Sequence, residues 1–218
     1  MTLQQDQGQT PAPTAMGPYM VSSDPPHYLS TVKMSDIPEM VRVLNLSKDI
    51  YDGTASFQYP YLESHAEVRV RRALGYHEKG FNTHWAMRTS PDGPLIGWIH
   101  AYFEPDVKDL HPETGKPVKL ADIGYWVSPE YTRQGYSSRS AWFVVHEILF
   151  KEFKVDVVRG SAYIENMASR KILESSGMSC EVEQRADFIP KLQQHRQVCE
   201  YSIHRAQCTK HILVCRQA

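Results

Sequence analysis

Asp122-Ile123-Gly124-Tyr125-Trp126-Val127-Ser128-Pro129-Glu130-Tyr131-Thr132-Arg133-Gln134-Gly135-Tyr136-Ser137-Ser138 runs from a β-prone apolar segment through a glycine-bearing turn into a helix start. The helix begun here continues through Ala141, Val145, Ile148 and Leu149, an apolar stripe at helical spacing. Its first unpaired N–H groups point back at the turn, and together with the positive end of the helix dipole they favour an anion such as a phosphate. Gly135 supplies a backbone conformation that other residues rarely adopt, and it lets a ligand approach closely. Ser137 or Ser138 is placed to cap the helix or to donate its hydroxyl, and Arg133 and Arg139 bring charge to either side. An ordinary strand-to-helix connection is the plain alternative.

Outward from this stretch the chain alternates strand and helix patterns. Residues 1–26, rich in Gln, Pro, Thr, Ser and Gly, bury too little surface to offset ordering and read as a mobile tail. The remainder, 27–218, reads as a single domain. His27–Val32 is a strand, and Ser35-Asp36-Ile37-Pro38-Glu39 starts a helix through Leu44. Asn45–Tyr61 is a loop carrying Tyr51, Phe57, Tyr59 and Tyr61, an aromatic density suited to a substrate pocket or to covering the core edge. His65–Leu74 is a helix whose arginines Arg69, Arg71 and Arg72 mark a solvated face. Thr83–Arg88 and Leu95–Phe103 flank Ser90-Pro91-Asp92-Gly93-Pro94, which predicts a hairpin. Glu104–Pro117 is a loop leading to the strand Leu120–Val127. Val155–Ile164 is a strand, Asn166–Leu173 a helix ended by Gly177, and Met178–Val182 and Val198–Ile203 are strands around a polar loop, Gln184–Gln197.

The quoted stretch resembles the acetyl-CoA-binding segment of the GNAT superfamily of N-acetyltransferases, and within it the branch of the RimJ/RimL ribosomal-protein-alanine acetyltransferases. The superfamily loop is written Gln/Arg-x-x-Gly-x-Gly/Ala. Aligning its central glycine on Gly135 puts Thr132 at the first position and Ser137 at the last, both departures, and Arg139 stands where the branch usually has an acidic residue. A second signature, Glu165-Asn166-x-Ala168-Ser169-x-Lys171-x-Leu173-x-x-x-Gly177-Met178, follows at a suitable separation. The resemblance extends from Tyr28 to Arg205. It implies an α/β fold: a mixed, mostly antiparallel sheet with two central parallel strands, Asp122–Val127 and Val157–Ile164, splayed apart and flanked by helices.

It also implies a chemistry, acetyl-CoA as co-substrate and a primary amine as acceptor, with direct attack in a ternary complex. Such a transfer needs a polarised carbonyl, a neutral nucleophile and a proton for the departing thiolate. By the resemblance, backbone groups at Tyr125, Trp126 and Val127 pair with the pantetheine arm. Arg133, Gln134, Gly135, Tyr136, Ser137 and Ser138 hold the pyrophosphate, Asn166 binds the pantetheine arm, and Ser169 protonates sulfur. A helix serine bonded to its own backbone is the alternative for Ser169, with Tyr163 or water then the donor. Asp122, Glu104 and His100 are alternative proton acceptors, directly or through water.

A net charge of −1 gives no global reason to expect nucleic acid as a partner. No window approaches the roughly 18 consecutive apolar residues of a membrane span, and no basic start precedes an apolar core, so no membrane partner and a cytoplasmic location are expected. Cys180, Cys199, Cys208 and Cys215 form no CxxC pair; they read as reduced thiols, with no metal site. A monomer or homodimer is expected. Two other readings are a catalytically degenerate CoA-binding sensor or scaffold, which the departures at Thr132 and Arg139 favour, and a small interaction domain without cofactor.

Overall fold

The computed structural model describes residues 17–78, 83–104, 115 and 117–208. Eight strands form one sheet: β1 (Tyr19–Ser23), β2 (Pro26–Thr31), β3 (His84–Arg88), β4 (Gly97–Glu104), β5 (Leu120–Val127), β6 (Val157–Tyr163), β7 (Ser179–Ile189) and β8 (Gln194–His204), in the order β1-β2-β3-β4-β5-β6-β8-β7. Every neighbouring pair is antiparallel except β5 with β6. This is the mixed, mostly antiparallel sheet that the resemblance implied. Among the described residues no helix is long and apolar enough to cross a membrane.

Side-chain alternation along the central strands feeds two separate cores. On one face Ala86, Trp98 and Trp126 pack against α1 (Ile37–Leu44) and α3 (Glu63–Glu78) through Met40, Val43, Ala66 and Val70. Between these helices lies the single turn of α2 (Asp49–Asp52). On the other face Trp85, Met87, Ile99, Ala121 and Ile123 meet Ala141, Val144, Val145, Ile148 and Leu149. Those last residues belong to α4 (Tyr136–Phe143) and its continuation to Glu152 in wider i→i+5 turns. The same layer holds α5 (Met167–Ser175), whose Leu173 is buried.

Two expectations are corrected. Residues 19–23, assigned to the tail, form β1, which pairs with β2 from Tyr19↔Leu29 to Ser23↔Pro26. The tyrosine is the anchor: its ring lies 5.7 Å from Phe143, and its hydroxyl donates to Glu152 Oε2 at 3.4 Å. Residues 1–16 of that tail and most of the loop before Pro117 lie outside the described residues, as does Cys215. The second correction concerns Gln184–Gln197, which is no loop but most of a long hairpin. Its two strands pair from Ser179↔Ser202 to Ile189↔Gln194, with the chain reversing at Pro190–Leu192 and at Gln193 (φ 51°). Polar pairs stabilise it where apolar alternation is missing: Arg185 holds Asp187 on its own strand and Glu200 across the ladder, Asp187 faces Arg196, and the Phe188 and His195 rings lie 5.3 Å apart.

One buried ion pair ties the entrance of the domain together. Arg88 on β3 gives Asp36 two parallel hydrogen bonds, 2.9 and 2.7 Å, and also donates to Ser30 Oγ (2.6 Å) and the Gly93 carbonyl (2.8 Å). Asp36 in turn accepts the Lys33 N–H at 2.8 Å, so β2, β3, the hairpin turn and the start of α1 share one satisfied network. The side chains are 2% and 6% exposed. Truncating one partner strands a buried charge. Asp36→Ala is expected to lower unfolding free energy by about 3–5 kcal/mol, read as the urea midpoint at unchanged slope; a loss below about 1 kcal/mol, the level of a surface pair, contradicts this account.

Candidate active site

β5 and β6 are hydrogen-bonded over only three registers, Leu120↔Val157, Ala121↔Val158 and Asp122↔Arg159. Beyond Asp122 they part, while β5 stays paired to β4 as far as Val127↔Gly97, so the β6-facing edge of Ile123–Val127 is open. Leu173 of α5 sits in the fork. A Cβ on Gly160 would lie 2.6 Å from Leu173 Cδ2 and 3.6 Å from Ile123 Cγ1, so the glycine makes the space the leucine fills.

A cavity of about 210 Å³ occupies the gap. Its walls come from β5, β6 and Ser169, from the loop Gly53–Phe57, from Arg69 and His100, and from the β7–β8 hairpin. Lys191 at the hairpin tip stands 3.7 Å from the Tyr51 ring centre and donates to the Tyr51 carbonyl, latching the hairpin to α2. Of the four aromatics expected to line a pocket, Phe57 does so; it packs on Tyr61 and edge-on to Trp126. Tyr51 and Tyr59 pair with each other outside it.

Asn166 is the N-cap of α5, its Oδ1 accepting the Ser169 N–H at 3.1 Å, with Nδ2 directed at the Gly53 carbonyl at 3.5 Å. Ser169 Oγ is 3.1 Å from the Tyr125 hydroxyl, which also donates to the Ser169 carbonyl at 3.0 Å. Burial pushes the Tyr125 phenol well above its ordinary range, an effect the Ser169 hydrogen bond partly offsets. The phenol therefore stays protonated, and a coupled pair of hydroxyls spans the mouth of the fork. The sequence pointed to Tyr125 for its backbone alone; strand alternation with Ile123 was the signal for its side chain. Tyr163, the alternative donor, also lines the cavity, and its buried hydroxyl has no hydrogen-bond partner.

Asp122 and Glu104 stand apart from Ser169. Arg159 binds Asp122 through Nε (3.2 Å) and Nη2 (3.0 Å) and pairs with Glu104 as well. The three line an adjoining polar cleft with Arg185 and Glu200, which meets the cavity at Ser161. His100 does line the cavity. Its ring takes the space a side chain on Gly124 would need, Cε1 lying 2.6 Å from such a Cβ, and its Nδ1 is buried without a partner. Burial first, and then His84 and Arg69, lower its pKa to about 3. His84, stacked on it at 5.6 Å, is lowered to about 4 by burial and by Arg69 and Arg72. Arg69 was read as part of a solvated face. Instead its guanidinium lies 4.3 Å from the Phe57 ring centre and lines the cavity. Its spacing of three after Ala66 and four before Ala73, both buried, was the signal.

At the other end of β5, Ser128–Gln134 turns the chain into α4. Gly135 is in the left-handed region (φ 78°), as is Arg133 (φ 61°). The expected serine cap is corrected: the N-cap is Gly135, without a side-chain bond, and Ser137 and Ser138 lie inside the first turn. Tyr136 is buried against His27 and Tyr131 and serves the core. Arg139 folds back over Gly135, donates to the Gln134 carbonyl at 3.0 Å, and keeps its buried Nε without a partner. First-turn N–H groups and one guanidinium thus converge on the turn, an arrangement suited to a polyphosphate. Trp126 and Val127 flank it on the open edge of β5.

A family model described as "Acetyltransferase (GNAT) domain" matches residues 28–179. No curated protein matches the chain in sequence. Among solved structures, a GNAT-family acetyltransferase from Bacillus anthracis superposes with a TM-score of 0.63 at 19% identity, covering 83% of this chain and 95% of that one. The ribosomal-protein acetyltransferase RimL in complex with coenzyme A gives 0.64 at 16% identity, covering 85% and 98%. Mycobacterium smegmatis RimJ in complex with a CoA disulfide gives 0.63 at 14%, covering 82% of each. At these identities the likeness is one of fold.

The buried imidazoles set a pH dependence. Their pKa values, about 3 for His100 and about 4 for His84, lie below the ordinary 6.5, so below pH 6.5 the unfolded chain binds more protons than the folded one. Stability is full above 6.5 and falls with pH toward 4. At pH 5 each histidine is expected to cost about 2 kcal/mol. Urea titrations from pH 7.5 to 5 should show this slope, reduced in His100→Gln; parallel profiles for the two proteins would mean that His100 is not buried neutral.

Proposed function

The chain belongs to the acetyltransferase (GNAT) domain family, and from that premise we propose that it is an N-acetyltransferase moving an acetyl group from acetyl-CoA to a primary amine, at a protein N-terminus or on a small molecule, by direct attack in a ternary complex. The observation that carries the reading is the fork: an open strand edge that leads at one end to the Gly135 turn and at the other to the Tyr125–Ser169 hydroxyl pair. When bound, acetyl-CoA supplies an activated acyl group. The N–H groups of Tyr136, Ser137 and Ser138, with Arg139, Arg133 and Gln134, hold the phosphates. Backbone groups of Tyr125, Trp126 and Val127, with Asn166 Nδ2, hold the arm as an added strand would be held. Ser169, itself hydrogen-bonded to Tyr125, gives its proton to the sulfur as the C–S bond breaks and the C–N bond forms.

The amine enters neutral, since the cavity offers a guanidinium and the His100 imidazole, which resists protonation as does His84 stacked on it. Its surplus proton passes by water past Ser161, which lines both spaces, to the cleft of Asp122 and Glu104, and Arg159 keeps those carboxylates in place. A cytoplasmic location belongs to the same reading.

Acetyl-CoA at a hundredfold excess over Kd is expected to stabilise the fold by about 2.7 kcal/mol, seen as a raised melting temperature. Gly135→Val should lose that shift, because its side chain strains a left-handed position and fills the approach to the turn. Normal binding by the variant would mean that the phosphates sit elsewhere.

Ser169→Ala should keep acetyl-CoA binding and lower turnover by about 10²-fold, since its hydroxyl acts only as sulfur leaves. An unchanged rate constant with chemistry rate-limiting would make Ser169 structural and leave Tyr163 or water as the donor. Bound acetyl-CoA without turnover on any amine would instead favour the sensor reading.

A further inference from the structure

Arg69 is a cation at the wall of the cavity. Among the described residues it forms no ion pair, whereas its helix neighbour Arg71 is bound to Glu67 at 2.7 Å on the outer surface. Its guanidinium is held over the Phe57 ring at 4.3 Å, with one nitrogen 3.5 Å from Ser56 Oγ. Both partners position the group without neutralising it. The other titratable groups nearby carry no compensating charge: His84 and His100 are neutral, and burial raises the pKa of the Tyr61 phenol. Among the described residues the one carboxylate lining the cavity, Asp187, is committed to Arg185 by bonds of 2.8 and 2.9 Å.

The guanidinium also lies on the side away from the phosphate turn. Arg69 belongs to the layer of α1 and α3, while Gly135 opens α4 in the opposite layer. A planar, permanently charged group fixed in a half-dry wall is suited to bidentate capture of a planar anion. We propose that Arg69 binds a carboxylate carried by the acceptor close to its amine, so that the site takes amino acids or acidic N-termini in preference to simple amines. This rests on the acetyltransferase reading. It assigns the α1–α3 side of the cavity to the acceptor and the α4 side to the cofactor. The carboxylate can be the α-carboxylate of a free amino acid or the side chain of an acidic residue next to a peptide N-terminus; the recognising chemistry is shared.

The test uses matched pairs differing only in that charge. One arm compares alanine with alaninamide as acceptors, and the other compares short peptides beginning Ala-Asp with those beginning Ala-Asn, each as a ratio of kcat/KM. Calorimetry of the corresponding N-acetylated products on the full-length protein, with and without coenzyme A, gives the same ratios as affinities and needs no turnover. In the wild-type protein at least one arm should favour the carboxylate by about 10- to 100-fold, as a charged hydrogen-bonded pair does. Arg69→Gln should bring that ratio close to one, Arg69→Lys should restore part of it, and Arg71→Gln should leave it as in the wild type. Because each ratio is internal to one variant, partial loss of fold does not imitate the result.

No carboxylate preference in either arm, or a preference that survives Arg69→Gln, overturns the proposal. So does a fall in acetyl-CoA affinity in Arg69→Gln with the ratio unchanged, which would assign the guanidinium to the cofactor. Failure of the underlying reading looks different: acetyl-CoA would then not raise the melting temperature of the wild-type protein, whatever the product-binding ratios.

Discussion

The structure turns on a place where a sheet stops being a sheet. Strand pairing leaves few backbone groups unbonded, and those left without partners are costly once away from water. Yet β5 gives up its bonds to β6 after Asp122 and keeps only those to β4. The fork is held open from both sides. Leu173 wedges against Gly160 and Ile123 at its base, and the Tyr125–Ser169 pair ties β5 to α5 further along. A side chain at residue 160 would contend with Leu173 for this space. The unmet bonds on one edge of β5 are therefore a built feature of the protein, and a strand-like ligand can answer them.

Around the fork the charges are sorted by location. Carboxylates collect in the cleft at its base, tethered by Arg159 and Arg185. The cavity itself has a guanidinium, the neutral imidazole of His100 with His84 stacked on it, buried hydroxyls, and the Asp187 carboxylate held by Arg185. Next to a fixed cation in a half-enclosed space an ammonium is disfavoured, so a nucleophilic amine is better accommodated as the free base. Where a carboxylate accompanies that amine, the cation that repels the one attracts the other. On the proposed mechanism, proton traffic then leads to the polar cleft, away from the sulfur that must be protonated.

Much of this was legible because local and global preferences agree. The glycine turn before an apolar helix, the Ser90–Pro94 hairpin and the run Val155–Ile164 all carry their structure in short-range patterns, and each appears near its expected bounds. The parts that were not legible depend on long-range partners. β1 exists because Tyr19 finds Phe143 and Glu152 more than a hundred residues away. The β7–β8 hairpin is held by ion pairs across an exposed surface, which a search for apolar alternation reads as a loop. The site shows the same division. Gly135, Asn166 and Ser169 came from short motifs, whereas the separation of Asp122 and Glu104 from Ser169 required Arg159, thirty-seven residues beyond Asp122, to be placed beside them. Arg69 was misread because charge alone suggests solvent, while its helical register with Ala66 and Ala73 directs it inward.

The two halves of the fork use different kinds of recognition, and this bears on how such a fold diverges. On the proposed cofactor side the groups offered are mainly backbone: an open strand edge, the first turn of a helix and a glycine at positive φ. Any sequence that keeps the fold keeps these, so solved structures only 14–19% identical retain the architecture over more than four-fifths of the chain. On the proposed acceptor side the groups are side chains on α3, the Gly53–Phe57 loop, β4 and the β7–β8 hairpin. These can change one at a time without disturbing the sheet. Arg69 is half-buried, makes no ion pair among the described residues and rests on the Phe57 ring. Its charge therefore adds little to stability, and its placement is better explained by what enters the cavity than by what holds the fold together.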